Sequence, residues 1–467
     1  MKISRTYPWL VLTMVPLLLV SCFAAKNYER PEEVVNEANF RTDNLPQDSL
    51  SMAAVSWKEL FTDTTLQGYI DEGLANNIDI RIAIQRILAA EAYVKQGRAG
   101  FLPTLQGSAQ YTHQELSGNG QFGDLFSTLD QYQISGGLSW EADIWGKIRS
   151  TKRAFQARYL QSVAAHKAVK TELIANIATL YYQLLSLDEQ VSITEETVQT
   201  RQNSLETTQA LQEAGNVTAV AVKQTEAQWY TAQGILIDLR NQTRLVENTL
   251  SILLGKEPGE IQRSSLDTQE ITTELNVGVP LQLLRNRPDV IAAEYELVNA
   301  FELTNVARSN FYPSLILNAT GGLQSLDFSQ LFDSSSLFAS IITGLTQPIF
   351  NGRRIRTQYE VSQAQQEEAR LNFRQAILTA SKEVSDALYS YGAATEKIEV
   401  KNKEFDAYAT ATEYSEQLLT NGLANYLEVL NAQENALGSN LDLIDARFSQ
   451  LQSMVDLYVA VGGGWQE

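Results

Sequence analysis

The stretch that most constrains this chain runs from Arg308 to Arg353. It opens on Arg308-Ser-Asn-Phe311-Tyr312-Pro313, closes on Phe350-Asn351-Gly352-Arg353, and holds no Lys or Arg between its end arginines. Its first arm sets Leu315, Leu317, Ala319 and Leu323 against Ser314, Asn318, Thr320 and Gln324, and a period of two is strand patterning. The middle, Asp327 to Ser336, is small and polar, as a turn should be. The same design occurs roughly 207 residues earlier, which makes it a repeat. Arg98-Ala-Gly-Phe101-Leu102-Pro103 matches Arg308 to Pro313. Gly137-Leu138-Ser139-Trp140 matches Gly344 to Gln347, and Gly146-Lys147 matches Gly352-Arg353. The second arm here sets Tyr132, Ile134, Gly136, Leu138 and Trp140 against Gln131, Gln133, Ser135, Ser139 and Glu141. Each hairpin has one apolar and one polar face. Aromatics close the ends (Phe101, Trp140, Trp145, Phe311, Tyr312, Phe350) and cations lie just outside. That pattern describes a membrane-spanning hairpin of a water-filled barrel. A half-buried hairpin of a soluble sheet shares the alternation and stays open at this point.

Long helical patterns flank both hairpins. A helix is expected from about Leu66 to Arg98, on the spacing of Ile70, Leu74, Ile78, Ile82 and Leu88. From Lys147 to Ala214, the positions Leu173, Ile177, Leu180, Leu184, Leu187, Val191, Thr194 and Val198 step by four and three, a heptad seam. Gly215-Asn216 breaks this helix, and a return helix runs from Ala219 to about Leu254, where glycine and proline stop it. Repeat two follows the same plan. Pro288 opens a helix ending near Asn310. Gly352 to Thr420 carries the seam Phe373, Ile377, Ala380, Val384, Ala387, Tyr391, Ala394 and Ile398. Gly422 breaks it, and Tyr426 to about Val461 returns. The division is 1–21 targeting segment, 22–62 extended segment, 63–258 repeat one (hairpin 102–144, tip 214–218), 259–286 connector, and 287–467 repeat two (hairpin 312–350, tip 421–425). The fold class is mostly α with a transmembrane β-barrel portion. Two hairpins give four strands per chain, too few to close a barrel. Two copies would leave room only for side chains, whereas three give twelve strands, which enclose water.

Lys2 and Arg5 precede an apolar run that ends at Leu19-Val20-Ser21-Cys22. This resembles a bacterial lipoprotein signal, whose cleavage leaves a lipid-modified Cys22 at the new N-terminus. Position 23 is Phe rather than the Asp that retains such proteins at the inner membrane, which points to the outer one. Cys22 is the only cysteine, so no internal disulfide and no thiolate metal site is available. The net charge of −19 disfavours nucleic acid as a partner. There are two histidines, and no phosphate loop, nucleophile elbow or metal-ligand spacing, so neither an enzyme nor a cofactor is expected.

The chain resembles the TolC-like outer-membrane efflux protein family, in its NodT/OprM-type lipoprotein branch. The resemblance rests on Trp57-Lys-Glu-Leu-Phe-Thr-Asp63, Gly137 to Lys147, Leu284-Arg-Asn-Arg-Pro-Asp289 with Ala293-Glu294, and Gly422 to Gln433. It implies a homotrimeric exit duct that joins an inner-membrane RND-type pump and a periplasmic adaptor to the outside, with the helix tips at Gly215 and Gly422 meeting the adaptor. It also places a periplasmic gate at Leu427, Glu428 and Asn431, where repeat one has Val220, Ala221 and Gln224. Two positions depart from the family pattern: Asn431 stands where relatives commonly have Asp, and Ala424 where some carry a charge. No Lys or Arg lies between Lys403 and Arg447, so a salt-bridge latch within this tip is not expected. A trimeric coiled-coil adhesin or structural lipoprotein of the envelope is the alternative. It shares seams and anchor but needs no repeated hairpin.

Overall fold

The computed structural model describes residues 25–31, 55–117, 119, 128–269 and 286–465. Cys22, the targeting segment, most of the first hairpin's loop and residues 270–285 of the connector lie outside the described residues. The helices are α1 (Trp57–Leu60), α2 (Thr64–Asn76), α3 (Ile78–Ala99), α4 (Lys147–Glu213), α5 (Ala219–Leu253), α6 (Pro288–Ser309), α7 (Arg354–Thr420) and α8 (Tyr426–Ala460). The strands are β1 (Thr104–Glu115), β2 (Thr128–Ala142), β3 (Ser314–Ser325) and β4 (Leu337–Thr346). The duplication is visible in the lengths. α3 and α6 both have 22 residues, α4 and α7 both 67, and α5 and α8 both 35.

The chain divides into two compact units that each draw on both repeats. One comprises Met1–Pro31, Ile87–Gln161 and Ala293–Phe373, and it holds a single antiparallel sheet in the order β1-β2-β3-β4. Short 3-10 turns, Phe328–Gln330 and Ser334–Ser336, occupy the polar loop between β3 and β4.

The other unit comprises Glu32–Arg86, Ser162–Ala292 and Arg374–Glu467, and it holds the main apolar core. Ile177 and Leu184 from the first seam and Val384 from the second are fully buried there, each contributing about 1.5–3 kcal/mol of transfer free energy. Phe61 and Tyr458 meet edge to face at 6.3 Å, and the Tyr458 hydroxyl donates to the Val55 carbonyl at 2.7 Å. Asp63 caps α2 by accepting from the Thr65 amide at 2.7 Å, and its second oxygen accepts from the Tyr181 hydroxyl at 2.8 Å. Burial acts to raise the Asp63 carboxyl, but bonds from Ser264, Tyr181, Gln269 and the Thr65 amide hold it below its ordinary value.

The single helix expected over 66–98 is two helices, and Asn77 is the reason. Its backbone is non-helical (φ −57°, ψ 135°). Its side-chain oxygen accepts from the amides of Asp79 (2.8 Å) and Ile80 (3.2 Å), capping α3. Its amide group donates to the Leu253 carbonyl at 2.9 Å, filling an acceptor left open at the end of α5. The break rotates the inward face. Ile80, Ala83, Ala90 and Val94 are buried, whereas Ile78, Ile82 and Leu88, expected inside, are 59%, 43% and 52% exposed. A second difference is α1, a one-turn helix inside the segment expected to be extended, capped by Ser56.

Candidate functional site

The sheet is the first candidate site, and its register makes it two-faced. Residues directly opposite in a ladder carry their side chains on one face. Leu105 lies opposite Leu138, Leu138 opposite Ala319, and Ala319 opposite Ile341, an apolar row across four strands. One residue along, Gln106, Gly137, Thr320 and Ser340 form a polar row. The polar face is cross-bonded, with the Ser108 and Ser135 hydroxyls 3.0 Å apart and the Gln133 amide donating to Ser135 at 3.1 Å. Ile342 and Phe338 from β4 and Ile316 from β3 are apolar intrusions on the polar face. His113 lies beyond the Tyr111–Tyr132 pair and meets the Asp130 carboxylate at 2.7 Å, so this histidine is partnered within the sheet.

The aromatics singled out in the sequence gather where the hairpins join the helices. The Trp140 ring nitrogen donates to the Phe101 carbonyl at 3.0 Å, and that of Trp145 to the Pro313 carbonyl at 2.8 Å. Trp145 stacks on Tyr312 at 4.7 Å, and Phe311 meets Tyr359 edge-on at 5.6 Å. Phe350 is 91% exposed. The cations sit beside them: Lys147 pairs with Glu141 at 3.1 Å, and Arg353 with Glu360 at 3.0 Å. Asp143 caps α4, accepting from the Ile148 and Arg149 amides at 2.8 and 3.0 Å.

The tips are the second candidate. Leu427, Glu428 and Asn431 stand together on the exposed side of the first turns of α8, while Val429, Leu430 and Gln433 turn inward. Glu428 occupies the first turn, where the helix dipole favours a carboxylate. Gly215 and Gly422 occupy the left-handed region (φ 80° and 70°) with open space where a side chain would begin. Local periodicity carried no signal for the contacts that α5 makes with α8 and with α4. The Tyr426 hydroxyl donates to the Gln224 side-chain oxygen. The Gln228 side-chain amide donates to Glu434 at 3.0 Å, and the Gln228 backbone carbonyl accepts from the guanidinium of Arg201 at 2.8 Å. Arg201 is 3% exposed, and burial lowers its pKa against the opposing pull of Glu434. Gln224, read from sequence only as a counterpart of Asn431, is thus a partner of the second tip. Among the described residues no group of three or more His, Cys, Asp or Glu is placed to hold a metal, and no helix is long and apolar enough to cross a membrane.

The model of the outer membrane efflux protein family matches residues 69–256 and 279–463. The solvent efflux pump outer membrane protein SrpC of Pseudomonas putida is 30% identical over 460 residues, 96% of this chain and 97% of its own length. The cation efflux system protein CusC of Escherichia coli O6:H1 is 28% identical over 459 residues, covering 97% of this chain and 98% of CusC. Among solved structures, a membrane protein from Pseudomonas aeruginosa superposes with a TM-score of 0.86 at 27% identity, covering 95% of this chain and 98% of the other. A likeness that spans both repeats and both units leads to one conclusion, that the chain belongs to the outer membrane efflux protein family.

Proposed function

We propose that three copies of this chain form an exit duct in the outer membrane, through which small molecules handed over by an inner-membrane RND-type pump and a periplasmic adaptor leave the cell. The observation that carries this is the register of the sheet: four strands with one continuous apolar face, and with β1 and β4 as free edges. In hydrocarbon each unpaired backbone group costs several kcal/mol, so those edges must pair with other copies. Twelve strands are the smallest such closure that encloses water. Exposed Ile78, Ile82 and Leu88 on α3, with Val361, Leu371 and Leu378 on α7, supply apolar surface for neighbouring copies to cover. The aromatic cluster at Trp140, Trp145, Tyr312 and Phe350 marks the periplasmic edge of the bilayer.

In this reading Leu427, Glu428 and Asn431 repeat around the threefold axis as rings of leucine, carboxylate and amide, a constriction that excludes water and favours cations. Gly215 and Gly422 mark the adaptor-facing tips, and Cys22 carries the lipid. The names of SrpC and CusC, one a solvent pump component and one a cation system component, support small molecules as the cargo class. Family membership favours the duct over an adhesin. Purified protein in planar bilayers tests the reading. A steady conductance from an assembly of three chains is expected, and a species that inserts without conducting, or conducts as a dimer, overturns it.

A further inference from the structure

Two arginines among the described residues are almost wholly buried, Arg287 at 5% exposure and Arg201 at 3%. Arg287 turns the Nε–Nη2 edge of its guanidinium to the carboxylate of Asp289, at 3.0 and 2.6 Å. Arg263 presents the same edge to Asp188, and Arg370 presents it to Glu367 at 2.8 and 2.7 Å. Two parallel N–H donors on that edge match the two oxygens of a carboxylate. Arg201 is different. Its Nη1 donates to the Gln228 backbone carbonyl at 2.8 Å, and no side chain among the described residues accepts from its Nε or Nη2. Glu434, the acid whose charge acts on Arg201, takes the Gln228 side-chain amide instead. A buried charge without a hydrogen-bonded counterion is costly, so an acceptor is missing here.

Arg201 lines a cavity of about 220 Å³ bounded by α4, α7 and α8. It lies about 20 Å along α4 from the turn at Gly215, at 1.5 Å per residue. The other walls restrict what can fill it. Phe405 and Leu437 are apolar, and Asn440 offers a neutral amide. Glu196 also lines the cavity and opposes a second negative charge there. At roughly 30 Å³ per water the space equals about seven waters, room for a carboxylate with a short alkyl chain.

We infer that this cavity is a binding site for a short-chain monocarboxylate, its oxygens on the Nε–Nη2 edge of Arg201 and its alkyl end against Phe405 and Leu437. Phosphate and sulfate carry a second charge that Glu196 repels, and chloride offers one acceptor where the edge matches two. Once bound, the carboxylate joins α4 of repeat one to α7 and α8 of repeat two. The inference goes beyond the duct and uses none of the candidate gate residues, so either can fail without the other.

The test is calorimetric titration of the full-length protein in detergent with sodium butyrate, near neutral pH and at constant ionic strength. One butyrate per chain is expected, bound about tenfold tighter than acetate because two more methylenes are buried. Butyramide, its neutral isostere, should not compete. Arg201→Gln should weaken butyrate at least tenfold. If that variant does not fold, Ala436→Glu supplies the reading, because Ala436 lines the same cavity. A carboxylate fixed there should raise the melting midpoint above that of Ala436→Gln and abolish butyrate binding. The inference is overturned by wild type that takes up no butyrate saturably, by butyramide binding as well as butyrate, or by undiminished binding to folded Arg201→Gln or Ala436→Glu.

Discussion

Repeat one turns from α4 into α5 at Gly215 and repeat two from α7 into α8 at Gly422, and up to the cap the two turns use the same chemistry. Asn216 donates its amide to the Leu211 carbonyl at 2.8 Å, and Leu423 to that of Leu418 at 2.8 Å, the closing bond of a Schellman turn in each case. Thr218 and Asn425 then cap the return helices with their side chains. Past the cap the repeats diverge. Ala221 is fully buried where Glu428 is exposed, and Val220 and Gln224 stand where Leu427 and Asn431 stand. The other ends of the return helices show the same split between plan and chemistry. In repeat one the neutral amide of Asn77 fills the last carbonyl of α5. In repeat two the guanidinium of Arg287 donates to the Ala460 carbonyl of α8 at 3.1 Å while pairing with Asp289 and Glu383, each at 2.6 Å. Turns, caps and seams follow from the duplicated pattern. At the positions compared, the exposed carboxylate of Glu428 and the buried guanidinium of Arg287 belong to repeat two, which also holds the candidate gate.

The hairpins give the largest effect. Leu138→Arg on β2 and its counterpart Leu345→Arg on β4 should each cost roughly 2–4 kcal/mol of folding into liposomes if the residue lies near the midplane. Gln133→Arg, on the polar face, should be tolerated. A harmless Leu345→Arg would show that the hairpins do not share a lipid face. Next come the two carbonyl-filling residues. Arg287→Met should cost about 2 kcal/mol, discounted because its carboxylate partners are half-exposed, and the loss should shrink in high salt. Asn77→Ala should cost about 1–2 kcal/mol with no salt dependence, because what it removes is a helix cap and a neutral bond. Chemical denaturation across a salt series checks both, and identical salt responses would erase the distinction between the repeats. The tips give the smallest change in free energy. Leu427→Ala with Glu428→Ala should raise resting conductance in bilayers and weaken block by multivalent cations, while Val220→Ala in repeat one should do neither. An effect of Val220→Ala as large as that of the double variant would move the constriction to both tips.

What could be read from sequence was whatever local periodicity encodes. The four-and-three steps at Leu173–Val198 and Phe373–Ile398, the glycine turns and the alternation at Tyr132–Trp140 are properties of neighbouring residues, and the α-plus-barrel class follows from them. The break at Asn77 was hidden because its cause lies on another element, the Leu253 carbonyl, and because Ile78 and Ile82 keep a helical spacing while facing outward. The contacts of Gln224, Gln228 and Arg201 were hidden for the same reason: Tyr426 and Gln224 are separated by 202 positions and no periodic signal joins them. The hold of α6 on residues 25–31 depends on Asn305, an ordinary amide among many polar residues of a helix. Only its two bonds to Lys26 distinguish it.

The matched element lengths restrict how a lineage of such chains can change size. Deleting one heptad from α4 alone would withdraw its tip by about 10 Å, at 1.5 Å per residue. Gln224 would then lose Tyr426, and Gln228 would lose Glu434. A deletion that is not a multiple of seven would also turn the seam away from its neighbours. Insertions and deletions that survive selection should therefore come in sets, shared by α4, α5, α7 and α8 and sized in whole heptads. The loop between β3 and β4, over 326–336, is left as a place where length can drift freely.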